Sequence, residues 1–246
     1  MRHNEQLCVE IALRIPGIWS SLQQLRDSLP DGTQLTEAKV ILKDGSECEY
    51  FVLPADNQFP QIFRSSCRRI PSREEQRKVS RYTFCIGLSG PGGSLEAAYQ
   101  MMKAAAVIVE AGGAGVFIDN SGLAHGGQDW LNMCDMGGTD SISYAFVSLV
   151  RGLSEVWTMG FQAIGIPDLR MTRDDSEQNP DSIIDIIRYM AASDVQLDHG
   201  HLIADEHGPM FKVLKTTCSR FESGSPMHNP FGYLKLVRTH GTVNDN

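Results

Sequence analysis

The clearest pattern of hydrophobic and polar positions lies in residues 81–130, where a strand, a glycine-rich turn, a helix and a second strand follow one another. Residues 82–88 are mainly β-branched and aromatic and end at glycines, which predicts a strand. Apolar residues then dominate residues 94–111 until a glycine pair ends the run, which predicts a long helix. Residues 115–119 predict a short buried strand, so this stretch predicts a β-α-β unit.

Shorter elements are predicted on both sides of this unit. Residues 7–15 alternate between apolar and polar positions and predict a strand, and residues 20–29 predict an amphipathic helix. Asp44-Gly45 predicts a tight hairpin turn between strands 38–43 and 47–53. The further predictions are irregular structure at 54–71, helices at 73–79 and 126–133, strands at 142–150 and 156–166, a polar loop at 167–180, a helix at 181–192, a hairpin of strands 201–204 and 210–216, and a closing strand at 233–238.

This order of elements predicts an α+β protein rather than a doubly wound parallel sheet. Only one clear β-α-β crossover is present, and hairpins lie near both ends, so the sheet is expected to be mostly antiparallel with helices packed on one face. The β-α-β-β order of residues 1–80 suits a ferredoxin-like half, and residues 81–246 would contain a second one. The length of 246 residues favours a single domain, 1–246, with a possible subdivision at residue 80.

Charge argues against nucleic acid and acidic membrane surfaces as partners. The chain carries 22 Lys and Arg against 30 Asp and Glu, a net charge of -8 that repels phosphate backbones. Residues 64–78 are the basic exception, but Glu74, Glu75 and Gln76 interrupt them and no aromatic residue is interleaved. A solvated helix face or linker is therefore the favoured interpretation of that segment.

The same composition predicts a cytoplasmic protein with reduced thiols. The six cysteines are far apart and form no C-x-x-C pair. No N-terminal signal is visible, and no apolar run is long enough to span a membrane. A dense set of His and acidic residues at 198–207 has neither a helix-borne nor a zinc-finger spacing, so no metal and no cofactor are predicted.

The glycine turn before the long helix is the first candidate site. Gly92, Gly93 and Ser94 would present backbone N–H groups at a helix N-terminus, which suits a phosphate or carboxylate. The dinucleotide spacing G-x-G-x-x-G fails because Leu95 stands where the third glycine belongs. A plain strand-to-helix turn capped by Ser94 is the alternative, and the anion site is the weaker prediction.

The polar loop 119–130 is the stronger candidate. It follows a buried strand and places Asn120, Ser121, His125 and Asp129 where they would converge on a small polar ligand or a protein partner. The alternative is that these residues form a turn and cap a short helix.

Two further functions remain open for the protein. In a hydrolase or transferase, His125 would act as a base oriented by Asp129, with an anion held at Gly92-Gly93. An interaction module would instead need a large exposed apolar patch.

Three strings together resemble a bacterial protein family defined as a domain of unknown function. They are EAGGAGVFIDNSGLAHGGQDW, VWTMGFQAIGIPD and PMHNPFGYLKL. The resemblance covers about residues 7–236. It implies a soluble bacterial protein, but it brings no assigned activity and no catalytic residues.

Overall fold

A computed structural model describes residues 9–178, 182–192, 197–205, 208–216 and 220–239. The first sheet contains β1 (Glu10–Gly17), β2 (Gln34–Leu35), β3 (Lys39–Ile41), β4 (Glu47–Pro54), β5 (Phe84–Pro91), β6 (Gly115–Ile118) and β7 (Leu123–Gly126). The second contains β8 (Ser148–Arg151), β9 (Glu155–Met159), β10 (Asp168–Thr172), β11 (Leu202–Asp205), β12 (Gly208–Thr216) and β13 (Tyr233–Arg238). The helices are α1 (Leu22–Asp27), α2 (Phe59–Ser66), α3 (Arg73–Ser80), α4 (Leu95–Glu110), α5 (Gly127–Met136), α6 (Gly138–Phe146), α7 (Arg173–Gln178), α8 (Ser182–Ala192) and a 3₁₀-helix at Phe161–Ile164.

The first sheet has the order β2-β3-β4-β5-β1-β6-β7, and all its neighbouring strands are antiparallel. Its longest pairing joins β1 to β5 over their whole lengths, from Glu10 opposite Pro91 to Gly17 opposite Phe84. β5 follows residue 80 in the chain, whereas its two neighbours β1 and β4 precede it. Hydrogen bonds of this sheet therefore cross the possible subdivision.

The second sheet has the order β11-β12-β13-β10-β9-β8. β10 and β13 are parallel, and the other pairs are antiparallel. The predicted α+β class with mostly antiparallel sheets is thus confirmed. The division into two ferredoxin-like halves is not confirmed. In the first sheet, β5 lies between β4 and β1, so β1 does not pair with the other described strands of residues 1–80.

Helices cover the first sheet unequally. Helix α4 begins where the Ser94 hydroxyl accepts a hydrogen bond from Ala97 N at 3.1 Å, and it buries small residues and methionines against β1 and β5. Successive strand residues point to opposite faces. Cys85 and Phe117 accordingly point away from α4 and pack with Phe63 and other residues of α2 and α3 in a smaller cluster. The helices α2 and α3 thus form a second layer on the opposite face.

Three predicted elements are wrong. Residues 54–71 contain the helix α2. A proline is tolerated in the first turn of a helix, because the N–H groups of that turn have no acceptor within the helix. Residues 142–150 hold the end of α6 and then β8, since a short apolar run does not distinguish a buried helix from a strand. Residues 167–180 contain β10 and α7, because pairing with β9 and β13 recruits a polar segment into the sheet.

A fourth prediction is correct only in its first part. The strand expected at 156–166 ends as β9 at Met159, because Gly160 adopts φ 107° and the chain continues as the 3₁₀-helix. A side chain at Gly160 would lie 2.1 Å from the backbone oxygen of Phe146. This close approach requires a glycine.

Candidate functional site

The polar loop 119–130 is mostly regular structure. Its first residues, 119–122, form the turn between β6 and β7, where Gly122 has φ 64° and donates its N–H to the Ile118 oxygen at 2.9 Å. The strand β7 and the helix α5 follow at once. The four predicted ligand-binding residues therefore lie on a turn, a buried strand and a helix, and they point in different directions.

Asn120 is a buried connector, 1% exposed. Its Oδ1 accepts a hydrogen bond from Ala12 N at 2.9 Å. Its Nδ2 donates to the backbone oxygens of Glu10 at 2.9 Å and Pro226 at 3.0 Å. One amide thus joins the start of β1 to the segment that precedes β13.

Asn120 also lies at the bottom of a cleft of about 490 Å³, called here the Asn120 cleft. The buried Gln162 continues this floor, since its Nε2 donates to the Asn120 and Pro226 oxygens at 3.2 Å each. The walls come from the start of β1 and from the segment before β13. The lining residues are Val9, Glu10, Ala12, Asn120, Gln162, Ser223, Gly224, Ser225, Pro226, His228 and Pro230.

The charge in the Asn120 cleft comes from an acid. Glu10 lines it with a largely exposed carboxylate that accepts a hydrogen bond from the Ser89 hydroxyl. His228 lines the opposite wall and contacts the Phe221 oxygen through Nδ1 at 3.0 Å. Neither lysine nor arginine is among the described lining residues. Such a lining disfavours anions and suits molecules that donate hydrogen bonds.

Ser121 lies next to Asn120 but points into the protein. It is 3% exposed, and its backbone oxygen accepts a hydrogen bond from the Ser148 hydroxyl at 3.1 Å. Its own hydroxyl has no hydrogen-bond partner within the described residues. Ser121 therefore packs behind the cleft.

His125 belongs to the core, 2% exposed on β7. Its Nε2 lies 2.9 Å from the Ala145 oxygen, and its ring contacts the rings of Trp130 and Tyr144. Burial lowers the pKa of His125 to about 4, against the opposing effect of the Ala145 contact. The imidazole is neutral at pH 7 and donates its Nε2 proton to the carbonyl.

Asp129 is not paired with His125. It lies in the first turn of α5, and its carboxylate faces Arg69, with 3.9 Å between Oδ1 and Nη1. The N-terminus of α5 already has a carboxylate from elsewhere, because Glu75 accepts a hydrogen bond from Gln128 N at 2.9 Å. The predicted catalytic use of His125 and Asp129 gains no support from these contacts and stays a prediction.

The predicted anion site at Gly92, Gly93 and Ser94 has its donors engaged within the protein. Gly92 N donates to the Val9 oxygen at 2.8 Å, and Gly93 N donates to the Ala163 oxygen at 2.9 Å. The Ser94 hydroxyl caps α4. This weaker prediction also remains untested.

A buried acid is the main feature that sequence reasoning missed. Asp168, fully buried at the start of β10, accepts hydrogen bonds from the Thr158 hydroxyl at 3.0 Å, Asn229 Nδ2 at 2.8 Å and Phe161 N at 3.4 Å. Burial raises the pKa of Asp168 to about 7 despite these bonds. The bond to Asn229 holds the segment that forms one wall of the Asn120 cleft. Asn229 lies 61 positions further along the chain, so no local signal revealed the pair.

The cysteines, and the His and acidic side chains that could bind a metal ion, are the remaining reactive groups among the residues described. Four cysteines are free, and burial raises the pKa of Cys48, Cys67 and Cys85 to about 12 and that of Cys134 to about 11. No group of three or more His, Cys, Asp or Glu in the described ranges is placed to hold a metal ion. Glu206 and His207 of the acidic and histidine-rich stretch lie outside these ranges.

Fold and site together define an α+β protein with two mainly antiparallel sheets and a polar cleft beside the β6–β7 turn. A scan against protein-family models matched none, and searches of curated proteins and of solved structures found no match. The resemblance to a bacterial domain of unknown function therefore stays a prediction. Among the helices described here, none is long and apolar enough to cross a membrane.

Proposed function

We propose that this protein binds a small polar molecule in the Asn120 cleft. The observation that carries the proposal is the cleft itself. Its volume of about 490 Å³ falls within the range of small-molecule sites, and it opens beside one of the residues that the sequence singled out. Its floor of Asn120 and Gln162 is fixed by hydrogen bonds on both sides, so the site is preorganised.

The lining indicates the class of ligand. The Glu10 carboxylate and the hydroxyl groups of Ser223 and Ser225 offer acceptors to an amine or a polyol, while Pro226 and Pro230 give rigid apolar contact. The hydrolase or transferase alternative lacks comparable support, because the His125 ring is enclosed in the core and does not line this cleft.

A thermal-shift screen with small amines, amino acids and polyols tests the proposal. At least one compound class is expected to raise the Tm of the protein, because a ligand that binds only the folded state stabilises it. Glu10→Gln, which removes the charge at constant size, should reduce that shift. Glu37→Gln, at an exposed position on the loop between β2 and β3, is the matched control and should leave it unchanged.

Two results would contradict the proposal. One is a screen in which no compound raises the Tm. The other is a shift that Glu10→Gln and Glu37→Gln affect equally, since the ligand would then bind elsewhere. A protein partner, the other occupant predicted for this loop, would be indicated if Glu10→Gln weakened a stable complex while no small molecule bound.

A further inference from the structure

Arg64, Arg73 and Arg77 of the basic segment 64–78 are exposed on helices α2 and α3, as expected for a solvated helix face. Helices α2 and α3 bring four arginines around one cleft of about 540 Å³, called here the arginine cleft. Its lining residues are Arg64, Arg73, Gln76, Arg77, Ser80 and Arg81. Arg73, Arg77 and the C-cap residue Arg81 are spaced four residues apart, so they share one face of α3.

No ion pair or side-chain hydrogen bond engages these four guanidinium groups within the described part of the chain. The acidic residues of α3 are used elsewhere. Glu74 pairs with Lys78 at 3.3 Å, and Glu75 caps its own helix and binds Gln128 N at 2.9 Å. The arginine cleft therefore holds concentrated positive charge on a chain whose net charge is -8.

The polar groups between the arginines do not neutralise them. Gln76 Nε2 donates to the Pro71 oxygen at 2.7 Å, and the Ser80 hydroxyl donates to the Gln76 oxygen at 2.7 Å. Four like charges around one cleft repel one another, and a bound anion would remove that repulsion. An arginine presents a planar fork of N–H donors that matches the oxygen pairs of phosphate.

We propose that the arginine cleft binds a small anion with more than one phosphate group. A single carboxylate has too few oxygens to engage four guanidinium groups, whereas a diphosphate has enough. The cleft is bounded by two short helices and has the size of a small-molecule site. Its lining contains no aromatic ring on which a nucleic-acid base would stack.

Isothermal titration of the whole chain with sodium pyrophosphate at low ionic strength tests this proposal. Saturable binding is expected, and added NaCl should weaken it by screening. The double substitution Arg73→Gln/Arg77→Gln should weaken binding at least ~10-fold, because two charge-assisted contacts are lost. The double substitution Arg151→Gln/Arg188→Gln removes the same charge at exposed positions elsewhere and should change the affinity by less than about twofold.

Two further probes distinguish other sources of phosphate. Vesicles containing phosphoinositides and a single-stranded oligouridylate are tested in parallel. Binding of either one without binding of pyrophosphate would overturn the proposal in favour of a membrane surface or RNA. Absence of pyrophosphate binding, or equal weakening in the two double variants, would also overturn it. Circular dichroism of each variant checks that the fold is retained.

Discussion

The Asn120 cleft and the arginine cleft have similar volumes, about 490 and about 540 Å³, but opposite construction. In the Asn120 cleft, the buried amides of Asn120 and Gln162 are bonded to the backbone of distant segments. In the arginine cleft, the charged groups are exposed and bonded to none of the described residues. The amides of the first cleft therefore hydrogen-bond within the protein. The guanidinium groups of the second cleft form no such bonds with the described residues and can bind a ligand.

Because of this difference, the side chains of the Asn120 cleft are expected to contribute to the stability of the fold, and those of the arginine cleft to ligand binding. Removing a buried, fully bonded side chain leaves its former partners without hydrogen bonds and lowers the free energy of unfolding. Removing an exposed, unpaired arginine costs almost none, and it changes only what the surface attracts. The comparison predicts that substitutions in the two clefts will have opposite profiles in stability and binding measurements.

Asn120→Ala should have the largest effect on stability. It removes the hydrogen-bond partner of Ala12 N and the Asn120 contacts of the Glu10 and Pro226 oxygens, of which the Pro226 oxygen keeps Gln162, so the free energy of unfolding should fall by about 3 kcal/mol. Urea denaturation followed by circular dichroism measures this. The control is Asn132→Ala on the exposed face of α5, expected to change stability by no more than about 0.5 kcal/mol. Equal losses in the two variants would contradict a connecting role for Asn120.

Asp168, which anchors a wall of the Asn120 cleft, should give that cleft a pH dependence. Its pKa is raised to about 7 when folded, against about 3.9 when unfolded. The folded state thus holds the extra proton between these values, and the stabilisation present below pH 4 is lost as the pH rises through 7. Between pH 5 and pH 7.5 this loss amounts to roughly 2–3 kcal/mol.

His125 acts in the opposite direction over nearly the same range. Its pKa is lowered to about 4, so the unfolded state binds the extra proton and stability rises with pH up to about 6.5. Comparison of the wild type with Asp168→Asn isolates the aspartate, because His125 is present in both. Denaturation at pH 5 and pH 7.5 should show that the wild type loses more stability, or gains less, than Asp168→Asn over this interval. Parallel behaviour of the two proteins would contradict a raised pKa.

Arg73→Gln/Arg77→Gln should have the smallest effect on stability. The free energy of unfolding should stay within about 0.5 kcal/mol of the wild-type value, because neither side chain forms an ion pair with the described residues. The same urea denaturation measures it. A loss comparable with that of Asn120→Ala would show that the arginines hold the fold together, and it would remove the contrast between the clefts.

Elements coded by short-range patterns were predictable from the sequence. The strand at residues 233–238 and the hairpin around Asp44-Gly45 are present as expected, since alternation and turn chemistry are local. The second half of the helix α6 was predicted as part of a strand, because an isolated apolar run fits both a helix and a strand. β10 was missed because its place between β9 and β13 comes from distant pairing.

The candidate sites follow the same division. The sequence identified Asn120 as notable, but its partners Ala12 and Pro226 lie 108 and 106 positions away, so its connecting role was not visible. The arginines of residues 64–78 were visible as charges. Their convergence depends on the packing of α2 against α3, which no spacing rule describes.

The place of β13 has a consequence for folding during synthesis. β13 follows every other strand of the second sheet in the chain, yet it lies inside that sheet between β12 and β10. The first sheet is complete in sequence at residue 126, whereas the second sheet stays in two parts until residue 238 has left the ribosome. In the nascent chain, the first sheet can therefore form before β13 has been synthesised. The strands β8–β10 and the strands β11–β12 can join into one sheet only after β13 has emerged.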